Sequence, residues 1–299
     1  KKLCHECIGN KSLKEYIKAN GYVCTCDYCG QRRKAVNLDS FMVIIMSGVN
    51  FLYTHAVNEL PCDSGEYIGK TYTTAQLIFE ELRDEIDAQD ERILKDIVEI
   101  MYDDIWCDAD PFSDREEDVA YYDWQSFCKM VKEKVRYVFY RATPDTSFNE
   151  NPTTILDTLA YYAERVRLDR RIDKNTKMYR CRTHENDEWR TAYADFAPPP
   201  PWVATSGRMN AAGINVLYLT LDPNTALCET RTSGRDYATI ASFRVTESIR
   251  VLDLTKIKKM SIPSIFDEDN RHNRSPVMFL QKFAENISQP RSNKNIDIE

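Results

Sequence analysis

Three residues in the C-terminal half of the chain have side chains that could together hold a nucleotide. Arg208 sits on a glycine-rich turn, Tyr218 lies in the apolar run VLYLT, and Glu229 ends a segment that begins with Asp-Pro. A guanidinium matches a pair of phosphate oxygens, and an aromatic face can stack on a planar ring. A fixed carboxylate can stabilise positive charge that develops on a ribose, or hold its hydroxyl groups. These residue types predict a nucleotide site.

The surrounding sequence contains the elements needed to position these side chains. Glycines on both sides of Asn210 let the backbone bend and approach a ligand, and the Asn210 side chain can hold the turn through hydrogen bonds. Asp222 is expected to cap a helix with Pro223 at its first position, which places Glu229 about one and a half turns along. The alternative is a structural ion pair between Arg208 and Glu229, with the tyrosine in the core.

The N-terminal segment carries a second pattern with chemical meaning. Two Cys-x-x-Cys pairs are separated by eighteen residues: Cys4 and Cys7, then Cys26 and Cys29. Four thiolates at this spacing can surround one Zn²⁺ tetrahedrally, which leaves no open position for water and predicts a structural site. His5 and Cys24 are alternative ligands with poorer spacing. The short helix predicted between the pairs, SLKEYIKA, would depend on the metal to fold.

Composition and charge limit the classes of protein. The chain has 299 residues, 42% of them hydrophobic, and a net charge of −7. This acidic balance argues against a nucleic-acid partner, and the basic run CGQRRK at 29–34 is interpreted as solvated. The run at 41–53 is too short to span a bilayer and is predicted to be a buried helix. We expect no membrane partner, a cytoplasmic location and a fragment clipped mainly at its C-terminus.

The hydrophobic periodicity and the residue composition change along the sequence, and these changes predict an α+β protein in three parts. Residues 1–34 form the zinc knuckle. Residues 35–170 are predicted to be helical, with the acidic stretch at 103–118 as a connector and a helix from Asp123. Short strands such as MYRCR and VLYLT, followed by a C-terminal helix, predict a mixed α/β domain over residues 171–299.

The C-terminal half resembles a known family. The stretch PPPPWVATSGRMNAAGINVLYLTLDPNTALCET at 198–230 is similar to the RES domain, and MYRCR resembles the opening strand of that family. The N-terminal half resembles the zinc-knuckle helical domain, termed HEPN/RES N-terminal, that precedes RES domains in some bacterial proteins.

This resemblance implies a fold and an activity. RES proteins resemble ADP-ribosyltransferases in fold and act as bacterial toxins that consume NAD⁺ by glycohydrolysis, phosphorolysis or ADP-ribosyl transfer. By the same resemblance, Arg208 would bind the NAD⁺ phosphates, Tyr218 would line the nicotinamide–ribose pocket and Glu229 would be the acidic catalytic residue. Arg180 would be a second phosphate contact, with Arg182 as its competitor. Asn210 would belong to the cofactor-binding turn.

Two departures from the family patterns affect the predicted activity. The family serine lies on a later strand, and neither Ser275 nor Ser288 has the matching context. Either the chain is cut before that strand, or the site is incomplete. RNA cleavage, which the HEPN name suggests, needs an arginine shortly before a histidine, and His55 has none near it.

The resemblance also suggests an antitoxin or target protein as a partner. A homo-oligomer could form through an apolar stripe of the helical half, but periodicity alone does not distinguish such a stripe from a core. The alternative function is a partner-binding protein in which the RES half is regulatory or inactive.

Overall fold

The computed structural model describes residues 1–133, 154–185, 187, 190–205, 213–230 and 237–289. Within these ranges the chain is a mixed α/β protein of short helices and small antiparallel sheets, which confirms the broad fold class. The more specific expectation, an ADP-ribosyltransferase-like fold in the second half, stays a prediction.

The described strands and helices are named in chain order. The strands are β1 (Lys2–Cys4), β2 (Tyr22–Thr25), β3 (Arg32–Asn37), β4 (Tyr53–His55), β5 (Cys62–Asp63), β6 (Glu66–Tyr67), β7 (Tyr72–Thr73), β8 (Ile105–Asp108), β9 (Asp169–Ile172), β10 (Lys177–His184), β11 (Tyr237–Arg244) and β12 (Ile249–Leu252). The α-helices are α1 (Lys11–Asn20), α2 (Leu38–Leu52), α3 (Ala56–Glu59), α4 (Thr74–Gln76), α5 (Arg83–Ile86), α6 (Glu91–Met101), α7 (Glu116–Glu133), α8 (Thr154–Arg165), α9 (Tyr193–Phe196), α10 (Pro223–Glu229) and α11 (Arg274–Ser288).

The cysteine-rich segment folds as a small sheet covered by one helix. Strand β3 is central in the antiparallel order β1-β3-β2. The helix predicted between the two Cys-x-x-Cys pairs is present as α1, and the side chain of Asn10 caps it by accepting a hydrogen bond from the backbone N–H of Leu13. Leu13 and Ile17 bury the inner face of α1.

One apolar core joins this small sheet to the helices that follow. The predicted buried helix at 41–53 is confirmed as α2. Leu3 on β1, Ile17 on α1, Ile45 on α2 and Ile93 on α6 are all fully buried in the same cluster. The core therefore runs through the predicted boundary at residue 34 without a break.

The second part contains strands as well as helices. Strands β4, β8 and β7 form an antiparallel sheet, and β8 lies inside the acidic stretch predicted to be a connector. That prediction was wrong at 105–108, because Trp106 and Cys107 are buried and their burial outweighs the acidic neighbours. The helix predicted to start at Asp123 instead begins at Glu116, with acidic residues in its first turn that suit a helix N-terminus.

Two short sheets form most of the regular structure in the second half. Strands β10 and β11 pair antiparallel over their whole lengths, and β9 pairs with β12. Among the described residues, the predicted strand VLYLT pairs with a neighbour only at Thr220, which forms an isolated bridge and exchanges backbone hydrogen bonds with Tyr179 on β10. Helix α11 packs against α7 and α8 around Phe279, Leu280 and Tyr162.

A loop from the second half is buried in the core of the first. We call residues 262–273 the docking loop. Its Phe266 is 2% exposed and lies against Gly48 of α2, where an added Cβ would come within 2.3 Å of the Phe266 ring. Glu85 of α5 accepts a backbone hydrogen bond from Ile265 at 3.2 Å and pairs with Arg274 at 3.0 Å. The two halves therefore share buried apolar surface and a half-buried ion pair.

Candidate active site and metal centre

The four predicted cysteine ligands converge on one point. The sulfur atoms of Cys4, Cys7, Cys26 and Cys29 all lie within 4.8 Å of one another. Cys4 Sγ is 3.6 Å from both Cys7 Sγ and Cys29 Sγ, and Cys7 Sγ is 3.8 Å from Cys26 Sγ. Sulfurs held ~2.3 Å from a tetrahedral ion lie about 3.8 Å apart. The cluster could therefore hold a metal ion.

The pKa values of the thiols in this cluster are shifted in different directions. Burial raises the pKa of Cys4 and, further, that of Cys7. Burial also opposes ionisation of Cys26, but backbone N–H groups of Cys29, Tyr28 and Cys4 point at its sulfur and lower its pKa to about 7. Cys26 therefore loses its proton more readily than Cys4 or Cys7, and binding of a divalent ion would require the ligating thiols to be deprotonated.

The alternative ligands are positioned away from the cluster. The imidazole of His5 lies with Nδ1 3.1 Å from the Lys34 carbonyl oxygen and Nε2 3.3 Å from the Glu6 carboxylate. Cys24 lies on β2 opposite Arg33 and outside the group of converging sulfurs. The sequence preference for the two Cys-x-x-Cys pairs therefore agrees with the geometry.

A buried polar contact attaches the metal centre to the helical part. Tyr28, between two of the cysteines, donates its hydroxyl hydrogen to Asp96 Oδ2 of α6 at 2.6 Å. Lys1 Nζ also contacts this carboxylate. Burial raises the pKa of Asp96, but these two donors outweigh it and the pKa is lowered overall. Asp96 is thus held ionised behind the cluster.

We expect Asp96→Asn to lower the free energy of unfolding by about 1–3 kcal/mol, because a charge-assisted hydrogen bond in a buried site is weakened. Urea denaturation of the metal-loaded protein measures this. Asp103→Asn, at an exposed loop position, is the matched control and should change little. A double-mutant cycle with Tyr28→Phe should give a coupling of about 1 kcal/mol, and strict additivity would contradict the contact.

The nucleotide site is predicted around β10, which carries Arg180. The Arg180 Nη1 donates hydrogen bonds to the carbonyl oxygens of Phe196 and Ala197, at 3.0 and 3.1 Å. Burial, and then the nearby charge of Arg182, lower the pKa of Arg180. The first candidate is therefore tied to the backbone that follows α9. Arg182 lies two residues further along the same strand face.

Two further predicted residues reach β10 through other elements. Tyr218 is 39% exposed and lies two residues before Thr220, the residue that pairs with β10. Helix α10 starts as predicted, with the Asp222 side chain accepting the backbone N–H of Thr225 at 2.7 Å. Glu229 ends this helix with its side chain exposed, and no ion pair to it occurs among the described residues.

The next residue fixes the end of α10 to the strand. The Thr230 hydroxyl lies 3.9 Å from Cys181 Sγ on β10, and it donates to the Leu227 carbonyl oxygen at 2.7 Å. Arg180 thus lies on β10, and the segments that carry Tyr218 and Glu229 both contact this strand. Arg208 and Asn210 lie outside the described residues, so their places in this site stay predictions.

The sequence analysis did not single out His184, at the end of β10. It is 8% exposed, its Nε2 lies 2.9 Å from Thr239 Oγ1, and its ring stacks on Tyr237 at 6.1 Å between centroids. Alternation along the strand places Arg180, Arg182 and His184 on one face. The spacing R-x-R-x-H was visible in the sequence and could have identified this face.

A cavity of about 540 Å³ lies elsewhere, between α8, β12 and α11. Its walls are mainly leucine and alanine side chains, and none of the predicted nucleotide-site residues lines it. This cavity is therefore separate from the predicted nucleotide site.

Among the described residues, no helix combines the length and the apolar character that crossing a membrane requires.

Two family models match the chain, one in each half. Residues 19–145 match the family described as HEPN/RES N-terminal domain 1, and residues 177–293 match the RES domain. No curated protein and no solved structure matches the chain.

Proposed function

We propose that this chain, which carries a RES domain behind a HEPN/RES N-terminal domain, cleaves NAD⁺ at the bond between nicotinamide and ribose. The observation that supports the proposal most is the RES match over residues 177–293. This match includes β10, the segment of Tyr218, helix α10 and the segment that carries Arg208. By the same resemblance, we propose an ADP-ribosyltransferase-like arrangement for this half and a toxin-like role.

The cleavage can proceed without a covalent bond between the protein and the ribose. The bond between C1′ of the ribose and the nicotinamide nitrogen breaks, and its electron pair leaves with the nitrogen, which gives neutral nicotinamide. Positive charge develops at C1′ and on the ring oxygen, as in glycoside hydrolysis. Water, phosphate or a protein side chain then adds to C1′ and loses a proton. The main task of the protein is to orient NAD⁺ and stabilise this charge.

The proposed roles follow from where each side chain is attached. Glu229 would stabilise the charged ribose, because its carboxylate is exposed and the capped helix α10 holds its backbone. Tyr218 would stack beside the nicotinamide ribose. Arg208, with Asn210 supporting its turn, would bind the diphosphate. Arg180 would position the adjoining backbone through its two carbonyl contacts and leave Arg182 to meet the phosphates.

We propose Zn²⁺ as the metal of the four-cysteine cluster. Four sulfur ligands at tetrahedral spacing suit zinc, which has no redox chemistry and leaves no open position here. The site would therefore stabilise the fold and take no part in NAD⁺ cleavage. We also propose a protein antitoxin or target protein as a partner, on the basis of the RES resemblance. A homo-oligomer formed through the helical half is a separate proposal.

Glu229→Gln is expected to lower the rate of NAD⁺ cleavage about 100-fold, because the amide keeps the shape and loses the charge that stabilises the transition state. Arg208→Ala should have an effect of similar size through lost diphosphate binding. Liquid chromatography of NAD⁺, nicotinamide and ADP-ribose products, with and without phosphate, measures the rate and identifies the acceptor.

The controls remove the same charges at exposed positions away from β10. Glu285→Gln on α11 and Arg250→Ala on β12 should retain the parental rate. If the folded, metal-loaded protein leaves NAD⁺ intact even with phosphate and cell lysate present, the enzymatic proposal fails. A partner-binding protein with a regulatory RES half would then be the better explanation.

A further inference from the structure

Positive charge is concentrated at one end of this acidic protein. Residues 1–37 contain eight lysines and arginines against three aspartates and glutamates, which gives this module +5 and leaves −12 on the rest of a chain whose net charge is −7. The expectation that the protein avoids nucleic acid relied on the average over the chain. A separated basic module can act alone, because exposed charges are screened within roughly 10 Å.

The hairpin of β2 and β3 projects this charge into solvent. Arg32, Arg33 and Lys34 are exposed on β3, and Tyr22 and Val23 on β2 are 56% and 58% exposed. Tyr22 and Val23 are successive residues on β2, so each face of the hairpin exposes one large apolar side chain. We call residues 22–25 and 32–34 the basic arm.

The acidic groups of the module are occupied elsewhere. Glu15 lies 3.9 Å from Lys11, the Glu6 carboxylate faces His5, and Asp27 accepts the backbone N–H of Lys2. Among the described residues, neither Arg32 nor Arg33 has an ion pair or a hydrogen bond from its side chain. The guanidinium groups of the arm are therefore available to an external anion.

The strand register places an aromatic ring between two cations on one face. Tyr22 pairs with Ala35 and Cys24 pairs with Arg33, so the side chains of Tyr22 and Arg33 lie diagonally on the same face. Lys2 Nζ lies 5.8 Å from the centroid of the Tyr22 ring. An exposed aromatic flanked by cations suits an unpaired base with a phosphate on each side.

We infer that the basic arm binds single-stranded nucleic acid, with a base stacked on Tyr22 and the backbone phosphates held by Arg33 and Lys2. A duplex is disfavoured because its bases are already stacked and cannot reach the ring. A membrane surface or an acidic protein would use the charge of the arm and have no need of the flat face of Tyr22.

Fluorescence anisotropy of the zinc-loaded protein with labelled oligouridine and oligodeoxythymidine tests this inference, and the two probes separate RNA from DNA. We expect binding at about 50 mM salt that weakens steeply towards 200 mM. Tyr22→Ala should weaken binding about tenfold, since one base loses its stacking partner. Arg33→Ala should weaken it and reduce the salt slope by about 0.7.

Matched variants distinguish binding at the Tyr22 face of the arm from non-specific attraction by positive charge. Tyr22→Phe keeps the ring and should bind like the parent. Lys11→Ala on α1, which lies outside the basic arm, should also retain binding. The inference is overturned if neither oligonucleotide binds at low salt. It is also overturned if Tyr22→Ala binds like the parent, or if anionic vesicles or polyglutamate bind as tightly as the oligonucleotides.

Discussion

Removing the metal from the four-cysteine cluster is expected to unfold the N-terminal part of the protein. Binding of a structural zinc contributes on the order of 10 kcal/mol, which is comparable to the whole stability of a domain. The four sulfurs lie within 4.8 Å of one another, and burial already raises the pKa of Cys4 and Cys7. Because Leu3 and Ile17 belong to the large core, loss of the cluster should spread into α2 and α6.

Circular dichroism during heating, with and without a strong chelator, measures this effect, and a colorimetric assay should find one zinc per chain. Cys26→Ser should reproduce the effect of the chelator. Cys24→Ser, at the alternative ligand, and Cys62→Ser, at an exposed cysteine of β5, are the controls and should keep their zinc. An unchanged melting temperature in chelator, or retention of zinc by Cys26→Ser, would contradict a structural role.

Phe266→Ala is expected to lower the free energy of unfolding by about 3–5 kcal/mol, since a fully buried ring is replaced by a cavity. The ring is 2% exposed and lies against α2, 218 positions earlier in the chain. Gly48→Ala should also destabilise the protein at this contact, because the added Cβ would lie 2.3 Å from the Phe266 ring. Its gain in helix propensity, about 1 kcal/mol, should not offset that overlap.

The two substitutions should be coupled. In the double variant, the alanine at position 48 fills part of the space that the ring has left, so the combined loss should be smaller than the sum by about 1 kcal/mol or more. Urea denaturation measures all four proteins. Phe112→Ala, at a phenylalanine 72% exposed, should be nearly neutral. Additive losses would contradict a direct contact between the docking loop and α2.

The features predicted correctly are those with local causes. The cysteine pairs converge because each knuckle is set by a few adjacent residues, including Gly30, whose φ of +70° suits glycine. The cap at Asp222 is formed by a side chain three residues from its partner, Thr225. Such contacts depend on spacing along the chain and can be predicted without the fold.

The features that were missed depend on distant partners. Strand β8 could not be recognised within the acidic stretch, because its burial comes from β4 and β7, whose paired residues lie up to 55 positions away. The docking loop carries a proline and several acidic residues, and the neighbouring sequence does not indicate that it packs against α2. For the candidate site, the strand face with His184 could have been found from alternation. The position of Arg180 against the Phe196 and Ala197 carbonyls could not.

The contact between Phe266 and α2 has a consequence for inheritance. A gene that joined this RES domain to an unrelated N-terminal partner would produce a protein with Ile265 and Phe266 exposed, and with Arg274 lacking the carboxylate of Glu85. Recombination at the boundary between the two matched families would therefore be penalised, although that boundary is where sequence comparison divides the chain. The two domains should be transmitted as a pair, and the docking loop and its seat should change together.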